Sequence, residues 1–509
     1  MNHLLRLASL ILTAALISGC GASRKSAAPI PSRADGPPKR EFRGVWVHTV
    51  GQTHYSRMSS AEMKHYFADM MRKFDEAGIN AVIFQIRPEA DAFYRSELEP
   101  WSRYLTGEQG RAPDDPSFDP LTVIIDECHK HGMEFHAWLN PYRAKNSIYS
   151  DLAESHIYWR HPERFIRYGT QLFFDPGRPE NRNFICRVIR DIVKRYDVDA
   201  IHMDDYFYPY PVAGESFPDS SSFAKYAPRQ GFTPAQRDDW RRNNVNLLIR
   251  QVKRTVTATK RWVRFGVSPF GIYRNRWSDP SGSDTNGLQN YDDLYADIKL
   301  WVEKGWVDYN IPQLYWEIGH RAADYTTLLQ WWNDNSAGRP LIIGQDLKRS
   351  IDRNELETKI RRTREASSIH GNCYWYGYQI LDNFAGVTDM LKTDIHRTKA
   401  LPPAFTHMSK GTPPAVKKLK ERYTRETHAL TWDHKKTPSK PGSAQRFVIY
   451  RFRQGEKVDI SRAENIVKIT PDNIYILPYE GGKTGYTYAV TALDAFQNES
   501  KPTKIKITL

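Results

Sequence analysis

The chain has 509 residues, too many for one compact core, so two domains plus terminal segments are expected. Hydrophobic residues make up 40% of the chain and aromatic residues 13%, a composition that fits a globular protein. The formal net charge of +14 divides into +5 for residues 1–40, +9 for residues 401–509 and zero for the segment between them. The basic charge therefore predicts attraction of the terminal segments to an anionic surface and excludes a strongly basic central domain.

The first twenty residues predict an export signal. Arg6 precedes the apolar run LASLILTAALISGC, which is too short to cross a bilayer as a stable helix. The run ends in Ile17-Ser18-Gly19-Cys20, which resembles a bacterial lipobox and predicts that Cys20 is lipidated; an ordinary cleaved signal peptide is the alternative. We therefore expect a protein of the bacterial cell envelope, anchored by lipid to the outer membrane or cell surface. Nucleic acid is not an expected partner there.

Residues 21–40 are rich in Ser, Pro and charge and predict a flexible linker. From 41 to 402, eight short apolar runs alternate with amphipathic helical patterns, which predicts a (β/α)₈ TIM barrel. No G-x-G-x-x-G follows the first strand, and no cofactor is expected. The sequence leaves the oligomeric state open. The predicted strands are Arg43–Thr49, Ala81–Arg87, Glu134–Tyr142, Ala200–Tyr206, Val263–Gly271, Tyr309–Trp316, Leu341–Leu347 and Gly371–Gln379.

Residues 403–509 differ from the rest, because short alternating strands follow one another with no helical pattern between them. The runs RFVIYRF, NIYILP and YTYAVTALDAFQNESKP predict a small β-sandwich, and the last resembles the final strands of a fibronectin type III module. Elsewhere, Cys128, Cys186 and Cys373 each lie in an apolar pattern, and an odd number of thiols predicts buried free cysteines.

The stretch DAIHMDDYFYPY at residues 199–210 predicts where the functional site lies. Side chains alternate along a barrel strand, and active sites lie at the C-terminal strand ends. Ile201 and Met203 are expected to face the helices, so His202 and Asp204 face the barrel interior. Asp205 follows where the strand becomes a loop. Two acids entering one barrel mouth cost desolvation and mutual repulsion, which favours function for Asp204. For Asp205, a helix cap or an arginine partner is an equal alternative.

The same alternation places a set of aromatic and polar residues at the barrel mouth. Flat rings stack on sugar rings, fixed polar groups bind hydroxyls, and two carboxyl groups cleave the glycosidic bond. The pattern thus predicts a glycan substrate. The predicted substrate-binding residues are Trp46, His48, Arg87, Glu89, Asp91, Trp138, Asn140, Tyr206, Gln313 and Tyr315.

The predicted catalytic residues are Asp204, Glu317 and Asp205. Asp204 is expected to be the nucleophile or base and Glu317 the acid, with Asp205, Glu89 and Asp91 as substitutes. Chitinase-type barrels end their fourth strand in D-x-x-D-x-D-x-E, but here Tyr206 replaces the final Glu. Substrate-assisted chemistry is therefore not expected, and the second carboxylate is expected from another strand.

Two alternatives remain open from the residues alone. The barrel is either catalytic or a degenerate, non-catalytic glycan-binding form. A metal hydrolase that uses His48, His136 and His202 is a further alternative, although three histidines on three strands equally fit hydrogen-bonded core residues. No metal is expected, because no spacing in the chain resembles a metal site.

Seven segments together resemble the glycosyl hydrolase-like 10 family of bacterial lipoproteins, in matching order across nearly all of residues 41–400. The resemblance implies a barrel of the glycoside hydrolase type with an Asp after the fourth strand. Asp204 is then the first candidate, with Asp205 beside it, while Asp91, Asn140 and Arg87 fall in the family's rim motifs. It also implies cleavage of peptidoglycan strands stripped of their peptides. The segments are EFRGVWVHT, FQIRPEADAFYRSELEPWSRYLTG, FHAWLNPYR, FFDPGRPENR, DAIHMDDYFYPYP, FGVSPFGIYRN and IPQLYWEIGH.

Overall fold

The computed structural model describes residues 36–424, 427–434 and 440–509. The predicted export signal, the lipobox Cys20 and most of the predicted linker lie outside these residues. The end of that linker makes defined contacts, because Lys39 Nζ lies 2.5 Å from Glu499 Oε2 and Arg40 pairs with Leu401. The chain therefore contacts its own C-terminal part before residue 41, where the linker was expected to end.

Eight parallel strands close into a barrel, which confirms the predicted (β/α)₈ fold. The barrel order is β1-β2-β3-β7-β8-β9-β10-β11, and β11 pairs with β1 to close the cylinder. Strands β4, β5 and β6 form a small antiparallel sheet inserted after β3. The strands are β1 (Phe42–Val47), β2 (Ala81–Arg87), β3 (Glu134–Leu139), β4 (Arg143–Lys145), β5 (Phe165–Tyr168), β6 (Gln171–Phe174), β7 (Ala200–Met203), β8 (Arg264–Val267), β9 (Tyr309–Asn310), β10 (Leu341–Asp346) and β11 (Ile369–Trp375).

Helices of widely different length cover the outside of the barrel. The first of them begins with a capping box, in which the Ser59 side chain accepts from Glu62 N and the Glu62 side chain accepts from Ser59 N. The helices are α1 (Ser60–Glu76), α2 (Arg103–Thr106), α3 (Pro120–Lys130), α4 (Ile157–Arg160), α5 (Pro179–Arg195), α6 (Ser220–Tyr226), α7 (Arg237–Thr259), α8 (Asn290–Asp293), α9 (Ile298–Glu303), α10 (Tyr325–Asp334), α11 (Leu347–Asp352), α12 (Leu356–Glu365), α13 (Gly377–Leu381) and α14 (Val387–Met390).

The alternation of side chains along the strands follows the prediction. Ile201 and Met203 of β7 belong to the apolar layer between strands and helices, whereas Ala200 and Trp138 belong to the cluster inside the barrel. Several strands end earlier than expected, because the polar residues after them belong to loops. Thus β7 ends at Met203, so Asp204 and Asp205 are the first residues beyond the strand.

The C-terminal part contains two antiparallel sheets, β12-β13-β16 and β15-β14-β17-β18. Leu430 of β13 and Phe447 of β14 belong to one buried apolar cluster, so the two sheets share a core. This arrangement agrees with a β-sandwich, while the narrower assignment to fibronectin type III stays a prediction. The strands are β12 (Lys417–Tyr423), β13 (His428–Asp433), β14 (Arg446–Arg453), β15 (Ile466–Thr470), β16 (Ile474–Ile476), β17 (Gly485–Leu493) and β18 (Thr503–Thr508).

The C-terminal part packs against the N-terminal ends of the barrel strands. Phe405 and Phe496 join the apolar cluster inside the barrel, and Arg446 donates to the backbone oxygen of Met133. Across the described residues, no helix has both the length and the apolar character that a membrane crossing requires. Cys128, Cys186 and Cys373 are buried and free, as predicted.

Candidate active site

A cavity of 220 Å³ opens at the C-terminal ends of the barrel strands. Six indole and phenol rings, from β1, β3, β11 and the segments after β7 and β9, line the cavity, and two adjacent carboxyl groups follow β7. This combination of apolar walls and a few converging polar groups is typical of ligand sites. The lining residues are Trp46, Trp138, Asp204, Asp205, Tyr206, Tyr210, Ser268, Gln313, Tyr315 and Trp375.

Asp204 is held in one orientation by donors from the neighbouring strand. Trp138 Nε1 donates to Asp204 Oδ2 at 3.1 Å, and Asn140 Nδ2 donates to the same oxygen at 3.2 Å. The Asn140 side chain is itself fixed, because its Oδ1 accepts from Arg143 N at 2.9 Å. Burial raises the pKa of Asp204, whereas Arg143, Asn140 and Trp138 oppose that shift. Since the indole N–H of Trp138 and the amide NH₂ of Asn140 can only donate, they favour the ionised carboxylate.

Asp205 is in a different environment from its neighbour. Its carboxyl group bonds to the Tyr210 hydroxyl, which can donate or accept, and Gln313 is a second hydrogen-bonding partner. Burial, reinforced by the charge of Asp204, raises the pKa of Asp205 to about 7. Two adjacent buried carboxyl groups cannot both ionise easily. Near neutral pH the arrangement therefore favours a charged Asp204 beside a protonated Asp205.

The floor of the cavity is a neutral hydrogen-bonded layer. His202 Nε2 lies 2.9 Å from Ser268 Oγ and 3.4 Å from Trp46 Nε1, and His202 Nδ1 lies 3.0 Å from the Tyr309 hydroxyl. Burial holds the pKa of His202 well below its ordinary value, so the ring is uncharged. The layer supports the lining residues without supplying a cation to Asp204.

The structure places seven of the thirteen predicted site residues in the cavity wall: Trp46, Trp138, Asp204, Asp205, Tyr206, Gln313 and Tyr315. Sequence reasoning missed Tyr210, Ser268 and Trp375. The alternation rule contained the signal for two of them, since Ser268 shares the interior phase of Gly266 and Trp375 that of Cys373. Tyr210 lies in a loop, where strand alternation makes no prediction.

Arg87 is part of the scaffold beneath the site. Its guanidinium makes a fully buried ion pair with Glu99, with Nη2 to Oε1 at 2.5 Å, and Nη1 donates to the backbone oxygen of Asn140. The structure does not support the expected contact between Arg87 and substrate, because the guanidinium binds groups of the protein itself and lies outside the cavity wall. Asn140 also lies behind the wall, where it orients Asp204.

Glu89 and Asp91 fasten loops together instead of facing the cavity. Glu89 Oε2 lies 3.1 Å from Arg103 Nε, and Glu89 Oε1 accepts from Asn146 N at 2.5 Å. Asp91 is fully buried and accepts from Gln109 Nε2 at 3.1 Å. Both were expected to bind substrate or to act as a second acid, but their hydrogen bonds lie within the protein.

Glu317 lies outside the cavity wall, although it was expected to be the catalytic acid. Its carboxylate lies 3.8 Å from Arg353 Nη2 and 4.0 Å from Arg349 Nη1, and its side chain is 23% exposed. A backbone hydrogen bond and nearby cations lower the pKa of Glu317. A proton donor near neutral pH needs the opposite shift, so the expected role of Glu317 does not fit. The second carboxyl group in the cavity wall is Asp205, from the same strand end and not from another strand.

The three histidines considered for a metal lie in different places. His136 Nδ1 bonds to the Tyr309 hydroxyl at 2.8 Å deep in the barrel, while His202 lies above it. His48 bonds to Gln52 at 2.6 Å and packs against Trp375. It was expected to bind substrate, but it lies outside the cavity wall, behind Trp375. Within residues 36–424, 427–434 and 440–509, no cluster of three or more His, Cys, Asp or Glu side chains could hold a metal ion.

The fold is of the glycoside hydrolase type, a closed parallel barrel, and its C-terminal mouth carries aromatic walls and two carboxyl groups. The family model described as "Glycosyl hydrolase-like 10" matches residues 41–358, more than half of the chain. The chain belongs to this family.

Two curated relatives carry related names. "Glycosyl hydrolase YngK" of Bacillus subtilis (strain 168) is 37% identical over 491 residues, which cover 93% of this chain and 95% of that protein. "Glycosyl hydrolase DigH" of Escherichia coli (strain K12) is 36% identical over 356 residues, which cover 65% of this chain and 79% of that protein.

Among solved structures, an endo-β-1,4-mannanase from Thermotoga petrophila aligns with a TM-score of 0.39 at 10% identity, covering 92% of this chain and 98% of that one. An α-L-fucosidase from Paenibacillus thiaminolyticus aligns with a TM-score of 0.44 at 12% identity, covering 69% and 48%. The strand order of the chain itself, not these alignments, defines the barrel.

Proposed function

We propose that this protein is a glycoside hydrolase in which Asp204 and Asp205 are the two reacting carboxyl groups. The observation that carries the proposal is the pair's position, since both side chains line one cavity with aromatic walls. Among the residues that the structure describes, neither carboxyl group forms an ion pair with an arginine or lysine. Burial of an unpaired acid lowers the stability of the fold. Acids in such positions are therefore found more often at functional sites than in purely structural roles.

The hydrogen bonds assign different tasks to the two groups. Asp204, held by donors from Trp138 and Asn140, is the charged group that acts as nucleophile or base. Asp205, with its pKa raised to about 7, keeps a proton near neutral pH and delivers it to the leaving oxygen. The rings of Trp46, Trp138 and Trp375 offer flat apolar faces to the carbon–hydrogen faces of the sugar.

We assign the substrate to the glycans of the bacterial cell envelope, with peptide-free peptidoglycan strands as the first candidate. Relatives that are named glycosyl hydrolases, at 36–37% identity, support the reaction class. The lipobox-like end of the export signal supports the location, because it would hold the enzyme beside that polymer.

The test is mass spectrometry of products after incubation with intact sacculi and with peptide-free strands. We expect new sugar ends from peptide-free strands with the wild-type protein and none with Asp204→Asn. Asp91→Asn is the matched control, because burial and the charge of Glu89 also raise the pKa of Asp91 to about 7, yet Asp91 lies outside the cavity wall. Binding of strands without any product from the wild-type protein would favour the non-catalytic alternative and overturn the proposal.

The lipid anchor is tested separately on full-length protein expressed in a bacterial host. Incorporation of labelled fatty acid into the wild-type chain, and its loss in Cys20→Ala, is the expected result. An unlabelled wild-type chain would favour the ordinary signal peptide.

A further inference from the structure

A row of partly exposed aromatic rings leads away from the catalytic cavity. Tyr210 lines the cavity, and its ring centroid lies 6.1 Å from that of Phe270, which lies 5.3 Å from that of Trp316. Phe270 and Trp316 are not part of the cavity wall, and all three rings are partly exposed to solvent. We call these three residues the aromatic ridge.

The ridge is held by backbone contacts that fix its outer rings. Phe270, after β8, pairs with Gln313, after β9, through a parallel bridge. The Trp316 indole lies against Gly271, where a Cβ atom would come within 2.6 Å of Trp316 Cζ3. Lys359 Nζ also donates to the Trp316 backbone oxygen at 3.0 Å. The outer rings therefore have defined positions, so binding a ligand there would cost little ordering entropy.

We infer that the aromatic ridge is a second sugar-binding surface, which receives units of a polymeric glycan beyond the one held in the cavity. The rings pack edge to face, at 74° between Tyr210 and Phe270 and at 79° between Phe270 and Trp316. Their partly exposed surfaces continue from the sugar site and offer apolar contacts for further sugar rings. This inference deepens the proposed function and rests on it. The enzyme then acts on long strands in preference to short fragments.

The test measures binding of two probes to the Asp204→Asn protein by isothermal titration: long peptide-free glycan strands and a disaccharide fragment of them. Trp316→Ala is expected to weaken binding of the long strands about tenfold and to change disaccharide binding less than about twofold. Trp316→Tyr keeps a flat ring and is expected to restore most of the affinity.

Trp277→Ala is the matched control. Trp277 also follows β8 and is 70% exposed, but it is not one of the three residues of the aromatic ridge. Equal effects of Trp316→Ala and Trp277→Ala on long strands, or no strand binding at all, would overturn the ridge. Binding that depends on Trp316, together with absence of cleavage by the wild-type protein, would leave the ridge standing and overturn the proposed function.

Discussion

The two ends of the barrel carry acidic residues in opposite electrostatic settings, and β7 has acids at both of its ends. At the N-terminal end, Glu134 Oε1 lies 2.8 Å from Arg264 Nη1, and Asp199 lies 3.3 Å from Arg446 Nη2. At the C-terminal end, Trp138 and Asn140 donate to Asp204, and Asp205 bonds to the Tyr210 hydroxyl. Among the described residues, neither of these two acids has an ion-pair partner. Glu134, Asp204 and Asp205 are buried, whereas the Asp199 side chain is 14% exposed.

The pKa shifts follow from the partners and not from burial alone. Burial by itself would raise the pKa of Glu134, but Arg264 beside it holds that pKa below the ordinary value. The same balance holds the pKa of Asp199 well below its usual range, where Arg446, His129 and Arg264 outweigh burial. With no such cation, burial raises the pKa of Asp205 to about 7. Paired acids fasten the barrel to the C-terminal sheets, whereas unpaired acids are available for chemistry.

Asp204→Asn should give the largest effect of any single change. Removing the charged group should lower kcat on peptide-free strands by about 10³-fold or more. The fold should survive, because no buried cation loses its partner. Product release and circular dichroism together check both statements, and a near wild-type rate would show that Asp204 is not the reacting group.

Glu134→Gln should have the opposite consequence. The substitution keeps the shape of the side chain but removes the negative charge that lies 2.8 Å from the buried guanidinium of Arg264. The free energy of unfolding should fall by about 3–5 kcal/mol. Urea denaturation measures this loss, and turnover per folded molecule should stay close to wild type. A loss of turnover without a loss of stability would contradict the assignment of a stabilising role to the acids at the N-terminal end of the barrel.

Asp205 should determine the alkaline limit of activity. Because its pKa rises from 3.8 to about 7, turnover should decline as the pH rises through 7 and the proton is lost. Stability should also decline as the pH rises. Between pH 4 and pH 7 the folded state binds a proton that the unfolded state has lost, so the free energy of unfolding falls as the pH rises over that range. Asp205→Asn should remove this dependence and raise the free energy of unfolding at pH 8 by roughly 2–4 kcal/mol.

The measurements for Asp205 are rate profiles and urea denaturation at pH 5 and pH 8. The wild-type and Asp205→Asn proteins are compared under identical conditions, so other titrating groups cancel. An alkaline limit that persists at the same pH in Asp205→Asn with residual activity would assign the proton to another group.

Glu317→Gln should give the smallest effect. Its arginine partners are largely exposed and 3.8–4.0 Å away, so the ion pairs contribute little to stability. Turnover on a disaccharide-length substrate should change by less than about twofold. A loss comparable to that of Asp204→Asn would restore Glu317 as the acid and break the assignment of Asp205.

Strand alternation predicted much of the site, because it is a local property of the backbone. Counting outward from Ile201 and Met203 placed Asp204 in the barrel mouth, and the same count placed Trp138, Gln313 and Tyr315 there. The rule needs only an apolar face and a known direction of the strand.

The residues that were placed wrongly follow the strand ends, where local rules no longer apply. Arg87 was expected to contact substrate, but Glu99, twelve residues further along in the loop after β2, forms an ion pair with it. Glu89 and Asp91 were expected near substrate, yet Arg103 and Gln109 bind them from the next loop segment. These partners are 12 to 18 residues away in the sequence. Whether they meet depends on how the loop folds back, which the periodicity of side chains along a strand does not predict.

The sequence by itself determined the closed eight-stranded barrel, the apolar and interior phases of its strands, and the position of Asp204 at the mouth. Those features depend on side-chain periodicity along short segments, which is written in neighbouring residues. Only the tertiary structure decided which acids meet a cation and which remain unpaired. That decision depends on distances between residues from different loops and from the C-terminal sheets, and it separates the acids that stabilise the fold from those that are free to react.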